Sequence, residues 1–359
     1  MANLRWAAWP VLLAVLIVAA CAAALFGIAV LLGGDAGDVP EGGRISASIT
    51  GSGSTAQKGA MEAWRAEFHR IHPDLRVEYL ANGSGPGIRD FIAGATAFAG
   101  SDVAMRPEEH ALADRRCGNK AVHLPMVVGP IALAYNLPSV PDLKLSPATL
   151  TGIFTGRITR WDAREIAAEN AGAQLPHTAI QPVHRSGDSG TTHNFTAFLR
   201  TMGGWPYRPA RTWTGGGRSA TDSTGIAQVV QYVEGSIGYV EYGFASNARL
   251  HVAKVRNASG RFVALSPQSA TETLEGARMV GRTDDLLVEF DYRTKSKGAY
   301  PIVLVTYEIV CSKNTNPLVR SFLSYTSSDA GQSYLPLYGY APLPQDILAR
   351  VRARLGATS

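Results

Sequence analysis

Three turns rich in serine, threonine and glycine stand directly before helix-like stretches, at residues 51–55 (GSGST), 83–87 (GSGPG) and 186–192 (SGDSGTT). The first backbone N–H groups of a helix have no partner inside the helix, and the helix macrodipole adds partial positive charge there. Small residues let an anion approach these groups closely, and hydroxyls add further donors. One such turn is a common helix cap, but three in one chain predict a site that surrounds a small anion.

The third turn carries the densest cluster of candidate ligands. Arg185 precedes it directly, and a guanidinium can hold a tetrahedral anion through two hydrogen bonds. Ser189 and Thr191 offer hydroxyls and, together with Gly190, backbone N–H groups at the start of a helix. Taken alone, this segment fits a surface helix cap beside a solvated arginine equally well. The two other turns of the same kind favour the anion site.

Asp102 would add a negative charge to such a site. A carboxylate next to an anion is unfavourable unless the anion carries a proton that it can donate to the carboxylate. Phosphate carries one or two protons at neutral pH and sulfate carries none, so Asp102 would favour phosphate and reject sulfate. The alternative role of Asp102 is the N-cap of the next helix.

The elements around these turns alternate between strands and helices. Apolar and polar residues alternate over residues 45–49, which predicts a strand that ends at the first turn, and residues 97–99 predict another. Apolar residues at helical spacing follow the first turn: Ala60, Met61, Trp64, Phe68 and Ile71. An apolar run at residues 124–135 is long enough to cross between two domains. The alternation predicts an α/β fold with an open sheet, whose ligands bind at the carboxyl ends of strands.

The composition is that of a globular protein. The chain has 359 residues, of which 46% are hydrophobic and 18% charged, enough for one large or two ordinary domains. Its formal net charge is +5, and no dense block of lysine and arginine occurs. We therefore expect no nucleic-acid partner, while the mild basic excess favours anionic ligands.

Residues 1–33 are predicted to be a signal or anchor segment, and residues 34–44 a flexible linker rich in glycine and aspartate. Residues 11–32 are apolar and span about 33 Å as a helix, enough to cross a bilayer; Arg5 would face the cytoplasm. Two interpretations are open: an uncleaved anchor, or a lipoprotein that is cleaved and lipidated at Cys21. Both place the rest of the chain outside the cytoplasm, tethered to the bacterial cell membrane.

Cys117 and Cys311 are the remaining cysteines. In an oxidising compartment they would form a disulfide, and the alternative is a pair of buried free thiols. Neither cysteine has a second cysteine or a histidine at the spacing of metal ligands, so we expect no metal site.

In this order and spacing, the motifs resemble those of the extracytoplasmic phosphate-binding proteins of Pst-type phosphate ABC transporters, the PstS family. The resemblance covers most of residues 45–356. The motifs that carry it are ITGSGSTA at residues 49–56, GS at 83–84, FAGSD at 98–102, GRITRWD at 156–162, RSGDSGT at 185–191 and GSIGYVEY at 235–242.

The resemblance implies a two-lobed periplasmic-binding-protein fold that is type II-like, in which crossing strands join two α/β lobes that close on phosphate. Lobe I would comprise residues 45–126 and 262–356, and lobe II residues 127–261. The phosphate ligands implied by the matching motif positions are Ser54, Thr55, Ala56, Ser84, Asp102, Arg185, Ser189, Gly190 and Thr191. Ala56 stands where the family often has an aromatic residue, which is tolerable because the backbone makes the contact there.

The resemblance also implies that the protein captures inorganic phosphate and delivers it to ABC permease subunits. A phosphate sensor or a surface adhesin with the same fold is an open alternative, because the same site could serve each role. One position departs from the family pattern: Gly187 replaces the usual aspartate two residues after the arginine, and Asp188 comes one residue later. We therefore expect the pairing of Arg185 to be lost or rearranged, which would change affinity more than ligand identity.

Enzymatic alternatives find less support in the sequence. Residues 187–190 (GDSG) match the nucleophile region of trypsin-like proteases, with Ser189 as the nucleophile, but neither His184 nor His193 has the setting of a catalytic histidine. Lys58 follows the first turn without the spacing of a P-loop. We expect no catalytic residue and no cofactor.

Overall fold

Residues 46–274, 276–281, 284–313 and 315–356 are described by the structure, a computed structural model of the chain. The predicted anchor segment, including Arg5 and Cys21, and the predicted linker lie outside these residues. Within the described ranges, no helix combines the length and the apolar character needed to cross a membrane.

The strands alternate with helices in the first third of the chain, as predicted. They are β1 (Ala47–Gly53), β2 (Leu75–Ala81), β3 (Phe98–Ser101), β4 (Ala121–Tyr135), β5 (Lys144–Leu145), β6 (Gln181–Arg185), β7 (Arg218–Ala220), β8 (Ser236–Glu241), β9 (His251–Val252), β10 (Lys254–Arg256), β11 (Phe262–Val263), β12 (Arg278–Met279), β13 (Val288–Glu289) and β14 (Val303–Cys311). Strands β1 and β3 confirm the two strands that the sequence predicts there.

A helix follows most of the longer strands along the chain. They are α1 (Lys58–Ile71), α2 (Ser84–Ile92), α3 (Pro107–Cys117), α4 (Pro147–Phe154), α5 (Arg164–Glu169), α6 (Gly190–Met202), α7 (Ser223–Tyr232), α8 (Tyr242–Asn247), α9 (Pro267–Leu274), α10 (Pro317–Thr326), α11 (Asp329–Ser333) and α12 (Gln345–Gly356), with a 3-10 helix at Leu335–Tyr338. Each of the three turns singled out in the sequence leads into a helix, namely α1, α2 and α6.

Local signals begin and end several helices. Ser146, Asp222 and Ser328 each accept a hydrogen bond from the backbone N–H three residues on, which satisfies a donor that the helix itself cannot. Proline opens α3, α4 and α10, where its missing N–H costs nothing. Gly118 ends α3 with a φ of 62°, a left-handed conformation that favours glycine.

Nine strands of the described residues form one mixed sheet in the order β2–β1–β3–β14–β4–β8–β6–β7, with β9 also paired to β4. Strand β1 is parallel to β2 and β3, and β6 is parallel to β7 and β8. We call β1–β3 with the helices and loops that follow them the β1 half, and β6–β8 with theirs the β6 half. The antiparallel strands β14 and β4 connect the two halves.

Strand β4 extends across both halves. Residues 121–130 pair with β14 and residues 131–135 pair with β8, and all fifteen residues of the strand are buried. The apolar run that the sequence predicts to cross between domains is therefore part of one long strand. Because β3 runs parallel to β4 and β8 runs antiparallel to it, the carboxyl ends of both halves point towards the middle of β4. A ligand that meets both sets of strand ends would lie there.

Helix α1 shows how the apolar pattern becomes packing. Ala60, Met61, Trp64 and Phe68 are buried, as their helical spacing predicts. Ile71 has the same spacing but is 45% exposed, because the helix ends at this residue. The buried face of α1 joins the hydrophobic cluster of the β1 half.

Each half of the sheet has its own large hydrophobic cluster. The cluster of the β1 half includes Phe98 and Phe322, and the cluster of the β6 half includes Trp161, Phe195 and Trp205. The C-terminal helix α12 packs through the face that its sequence predicts, formed by Ile347, Leu348, Val351 and Leu355. These separate cores support the rigidity of the strand ends that meet at β4.

A disulfide joins Cys117 at the end of α3 to Cys311 at the end of β14, with Cα atoms 5.4 Å apart. The disulfide interpretation of these two cysteines is thus confirmed over the free thiols. The bond links positions 194 residues apart in sequence, so it removes much conformational freedom from the unfolded chain.

We predict that replacing both cysteines by alanine (Cys117→Ala with Cys311→Ala) lowers the free energy of unfolding by about 3 kcal/mol, because the unfolded chain gains the entropy of an open loop. Guanidinium unfolding with and without a reducing agent measures this. The reductant is expected to destabilise the natural chain and to leave the double variant unchanged. Equal midpoints for the natural chain under both conditions would contradict the prediction.

Candidate functional site

Asp102 lies at the centre of a buried cluster of hydroxyl groups. Its carboxylate accepts hydrogen bonds from Ser54 Oγ (2.6 Å), Ser84 Oγ (3.1 Å) and Thr306 Oγ1 (2.7 Å). The three donors come from the end of β1, the start of α2 and the middle of β14. Asp102 is only 4% exposed, and no arginine or lysine of the described residues forms an ion pair with it.

Burial is the main influence on the charge of Asp102. Burial raises the pKa of its carboxyl to about 6, against the opposing effect of the hydrogen bonds from Ser54 and Thr306. The nearby carboxylate of Glu241 raises this pKa further. Asp102 is therefore ionised above about pH 6 and acts there as a hydrogen-bond acceptor only.

Arg185 is the last residue of β6 and its side chain reaches across to the β1 half. Its Nη1 donates to Thr55 Oγ1 (2.9 Å) and its Nε donates to the carbonyl oxygen of Thr221 (3.2 Å). The hydroxyl of Thr55 also shares a hydrogen bond with Ser223 Oγ (2.9 Å). Arg185, Thr55 and Ser223 are all buried, so this second polar cluster joins the two halves beside the first.

The start of α6 packs directly on Asp102. A Cβ at Gly190 would lie 2.6 Å from both Asp102 Cβ and Ser84 Oγ, so only glycine fits. Asn194, one turn along α6, donates from Nδ2 to the carbonyl oxygens of Asp102 (2.7 Å) and Gly190 (3.0 Å). The two halves thus approach within van der Waals distance at this point.

Two hydroxyls near this helix start already have partners. Ser189 is the N-cap of α6, and its Oγ accepts a hydrogen bond from the N–H of Thr192. The hydroxyl of Thr191 donates to Glu241 Oε1 (2.6 Å). The O–H of Ser189 therefore remains available as a donor, whereas Thr191 can offer its backbone N–H rather than its hydroxyl.

All nine residues predicted to bind the ligand are buried, and the structure gathers them in one region. They are Ser54, Thr55, Ala56, Ser84, Asp102, Arg185, Ser189, Gly190 and Thr191. Their backbones belong to both halves of the sheet, so the site forms only where the halves meet.

Asp188 does not pair with Arg185. Its carboxylate lies 2.8 Å from Arg211 Nε, an ion pair without an aligned hydrogen bond, and accepts a hydrogen bond from Arg89 Nη1 (3.2 Å). Its side chain also fills the space next to Gly85, where a Cβ would lie 2.0 Å from Asp188 Oδ2. Among the described residues Arg185 thus has no carboxylate partner, and Asp188 instead pairs with Arg211 and contacts α2 of the opposite half.

A buried ion pair continues this contact between the halves. Arg211, in the segment between α6 and β7, donates from Nη2 to Glu109 Oε1 on α3 (2.5 Å), and both side chains are 7% exposed. Arg106 Nη2 donates to the same Glu109 oxygen (2.6 Å). Burial tends to raise the pKa of Glu109, but the hydrogen bonds from these two arginines outweigh it and hold the pKa below its usual range.

A cleft of about 970 Å³ opens beside Asp102 and is bordered by His193, Asn194 and Arg200 of α6. Burial, together with the positive charge of Arg211, lowers the pKa of His193. Of the cluster formed by Asp102 and its three hydroxyl donors, Asp102 is the member that lines this cleft.

The surroundings of Ser189 bear on the alternative in which this residue is a nucleophile. In the described part of the chain, neither His184 nor His193 forms a side-chain hydrogen bond to Ser189; His184 Nδ1 lies 3.0 Å from the carbonyl oxygen of Arg185 and its ring stacks on Trp213. The described residues also contain no group of three or more His, Cys, Asp or Glu side chains placed to hold a metal ion.

Comparison with known proteins identifies the family. A family model described as a PBP superfamily domain matches residues 38–330. Phosphate-binding protein PstS 2 of Mycobacterium tuberculosis is 39% identical over 91% of each chain, and phosphate-binding protein PstS3 of Mycobacterium bovis is 41% identical over 86% of each chain. The chain belongs to the PstS family. The resemblance read from the motifs is confirmed.

Solved structures confirm the two-lobed α/β fold. A high-affinity periplasmic phosphate-binding protein, PfluDING, solved with bound phosphate, matches with a TM-score of 0.69 at 21% identity, over 86% of this chain and 93% of the other. A phosphate ABC transporter substrate-binding protein from Clostridium perfringens matches with a TM-score of 0.63 at 19% identity, over 83% of this chain and 100% of the other. At these identities the comparison establishes the fold alone.

Two residues that contact the predicted ligands, Ser223 and Thr306, were not predicted from the sequence. Ser223 is the first residue of α7. It lies in a fourth turn of similar composition, TDSTG at residues 221–225. This composition could have identified Ser223 as a candidate from the sequence. Thr306 is a polar residue inside a buried strand, and its contact with Asp102 spans 204 positions, so no local pattern indicates its partner.

We predict that Glu109→Gln lowers the free energy of unfolding by about 1–3 kcal/mol, because it removes the more buried of the two carboxylates that pair with Arg211 and leaves Asp188 as the other. The amide keeps one acceptor oxygen and turns the other into an NH2 group that faces N–H donors, so the variant loses hydrogen bonds as well as the charge. Urea unfolding followed by circular dichroism measures the change. Glu108→Gln is the matched control, since Glu108 contacts Arg106 from the same helix but is 65% exposed, and it should change stability by less than about 0.5 kcal/mol. Equal stabilities of the two variants would refute the prediction.

Proposed function

We propose that this protein is an extracytoplasmic substrate-binding protein that captures inorganic phosphate between the β1 half and the β6 half and delivers it to an ABC permease. The observation that carries the proposal is the buried carboxylate of Asp102, which faces the start of α6 from the opposite half. PstS relatives at 39% and 41% identity are named as phosphate-binding proteins, which supports the same ligand here.

The proposed ligands are the nine buried residues gathered at the meeting point of the halves. Arg185 supplies the positive charge, and the hydroxyl of Thr55 supplies a donor on the other side. The hydroxyls of Ser54 and Ser84 donate to Asp102, so each would have to turn its proton from Asp102 to the anion in order to act as a ligand. The backbone N–H groups of Gly190 and Thr191 lie in the first turn of α6, where they have no acceptor inside the helix. The helix macrodipole adds partial positive charge at the same place.

Asp102 would select a protonated oxyanion. Above about pH 6 its carboxylate accepts hydrogen bonds but cannot donate them, so the bound anion has to bring a proton. Hydrogen phosphate has such a proton, whereas sulfate at neutral pH would place an acceptor against an acceptor in a buried site. The selection is thus a matter of hydrogen-bond direction rather than of size or charge.

Closure of two lobes would complete the site. We propose that residues 45–126 with 262–356 form one lobe and residues 127–261 the other, joined by β4 and β14. Phosphate that touches ligands from both lobes stabilises the closed state over the open one by its differential affinity. The ion pair between Glu109 and Arg211 would add a ligand-independent contribution to closure.

Delivery would take place at the membrane surface. The predicted anchor at residues 1–33, or lipidation at Cys21, would hold the binding domain near a permease and raise its effective concentration there. We expect no catalysis, because the proposed task ends with release of unchanged phosphate to the permease subunits.

Isothermal titration of the full chain in detergent, after removal of endogenous phosphate, tests the proposed function. Phosphate is expected to bind with a stoichiometry of one, and a hundredfold excess of sulfate is expected to leave the phosphate isotherm unchanged. An absence of phosphate binding between pH 6.5 and 8 would refute the proposed function.

We predict that Asp102→Asn weakens the discrimination between phosphate and sulfate by about tenfold or more, because the amide can donate a hydrogen bond to sulfate. In the natural protein the same discrimination should decline as the pH falls through about 6, where Asp102 becomes protonated. Competition titrations over this pH range measure both effects. Asp90→Asn is the control, because Asp90 is held by Ser52 and Asn82 outside the proposed ligand set. Discrimination that stays the same in Asp102→Asn would overturn the proposed role.

A further inference from the structure

A second carboxyl group lies behind the anion site without the donors that Asp102 has. Glu308, on β14, is completely buried, and neither of its carboxylate oxygens receives an aligned hydrogen bond. Asp102, by contrast, accepts three hydrogen bonds from hydroxyls. An ionised carboxylate without donors is strongly disfavoured in a protein interior, and such a group usually binds a proton instead.

The strand register places Glu308 on the face of the sheet that carries the anion site. Glu308 pairs with Gly100 of β3, and Thr306, two residues before it on β14, donates to Asp102. Residues two apart on a strand point to the same face. Glu308 and Thr306 therefore both face the side on which Asp102 lies.

The space above Gly100 is filled by the side chains that support the first anion turn. A Cβ at Gly100 would lie 2.2 Å from Gln57 Nε2 and 2.3 Å from the hydroxyl of Tyr79. Gln57 Nε2 donates to this hydroxyl (3.0 Å), which in turn donates to the carbonyl oxygen of Ser54 (3.1 Å). Glu308 thus lies beneath a hydrogen-bonded chain that ends at the turn with the proposed ligands.

No cation faces Glu308 in the described structure to stabilise its ionised form. The titratable groups that face it are Asp102 from the end of β3 and Tyr79 from β2, while the start of α1 contributes the neutral Gln57 and β4 contributes Leu124. Burial raises the pKa of Glu308 to about 8, against the effect of the Gln57 amide, and the charge of Asp102 raises it further.

We propose that Glu308 holds a proton while the site binds phosphate, so that it adds no negative charge to the surroundings of the anion. The inference rests on the proposed phosphate binding. Loss of this proton to solvent would add a further negative charge near Asp102 and the bound phosphate, which weakens binding. Glu308 is therefore a positioning residue that acts through the charge of the site and through Gln57, not a ligand of the anion.

Titration of phosphate into the natural protein and into Glu308→Gln, each at several pH values from 6.5 to 9, tests the inference. Glutamine has the shape and the neutral charge of protonated glutamate, so the variant should bind within about threefold of the natural protein at pH 6.5. At pH 9 the natural protein should bind about tenfold more weakly relative to the variant, because it must first take up a proton. Because the protonation of phosphate affects both proteins equally, it cancels in the ratio of their two affinities at each pH. Asp90→Asn should follow the natural profile.

Three results would overturn the inference. A loss of more than tenfold in the folded Glu308→Gln variant at pH 6.5, or affinity ratios that stay constant up to pH 9, would overturn the inference. If the variant does not fold, infrared spectroscopy of the natural chain labelled with carbon-13 glutamate replaces it; the absence of a protonated glutamic acid band at pH 7 also overturns the inference. If the natural protein binds no phosphate, the proposed function fails, and the infrared band still tests the proton on Glu308.

Discussion

The negative charge of Asp102 is the constraint on which the site depends. The carboxylate is buried without an ion pair, so hydrogen bonds from neutral hydroxyls must compensate for lost hydration. Ser54, Ser84 and Thr306 meet this need from three separate elements. The adjacency of β1, β3 and β14 in the sheet is what allows them to converge on one residue.

The same region also joins the two halves of the sheet through contacts of the chain itself. Gly190 packs on Asp102, Arg185 donates to Thr55, and Arg211 forms a buried ion pair with Glu109. A buried ion pair contributes little net stability when formed but is costly to break by removing one partner. In the proposed mechanism, closure would therefore be shared between contacts of the chain itself and those proposed for the anion.

Much of the local structure could be predicted from the sequence. The apolar face of α1 and the turn before α6 follow from side-chain periodicity and capping, both of which act over a few residues. The rearranged partners of Asp188 could not be predicted, because Arg211 and Arg89 approach it from distant segments. The proposed lobe boundaries and ligand roles remain predictions.

The sequence by itself determined where helices begin, which faces are apolar and which family the motifs belong to, because each of these depends on residues close together along the chain. The tertiary structure alone decided that Thr306 supports Asp102 and that Glu308 lies beneath the first turn. Thr306 lies 204 positions from Asp102, Glu308 lies farther still from the first turn, and both are on a strand of mainly apolar residues. Which buried polar group meets which donor is set by strand register, and register is a property of the folded sheet.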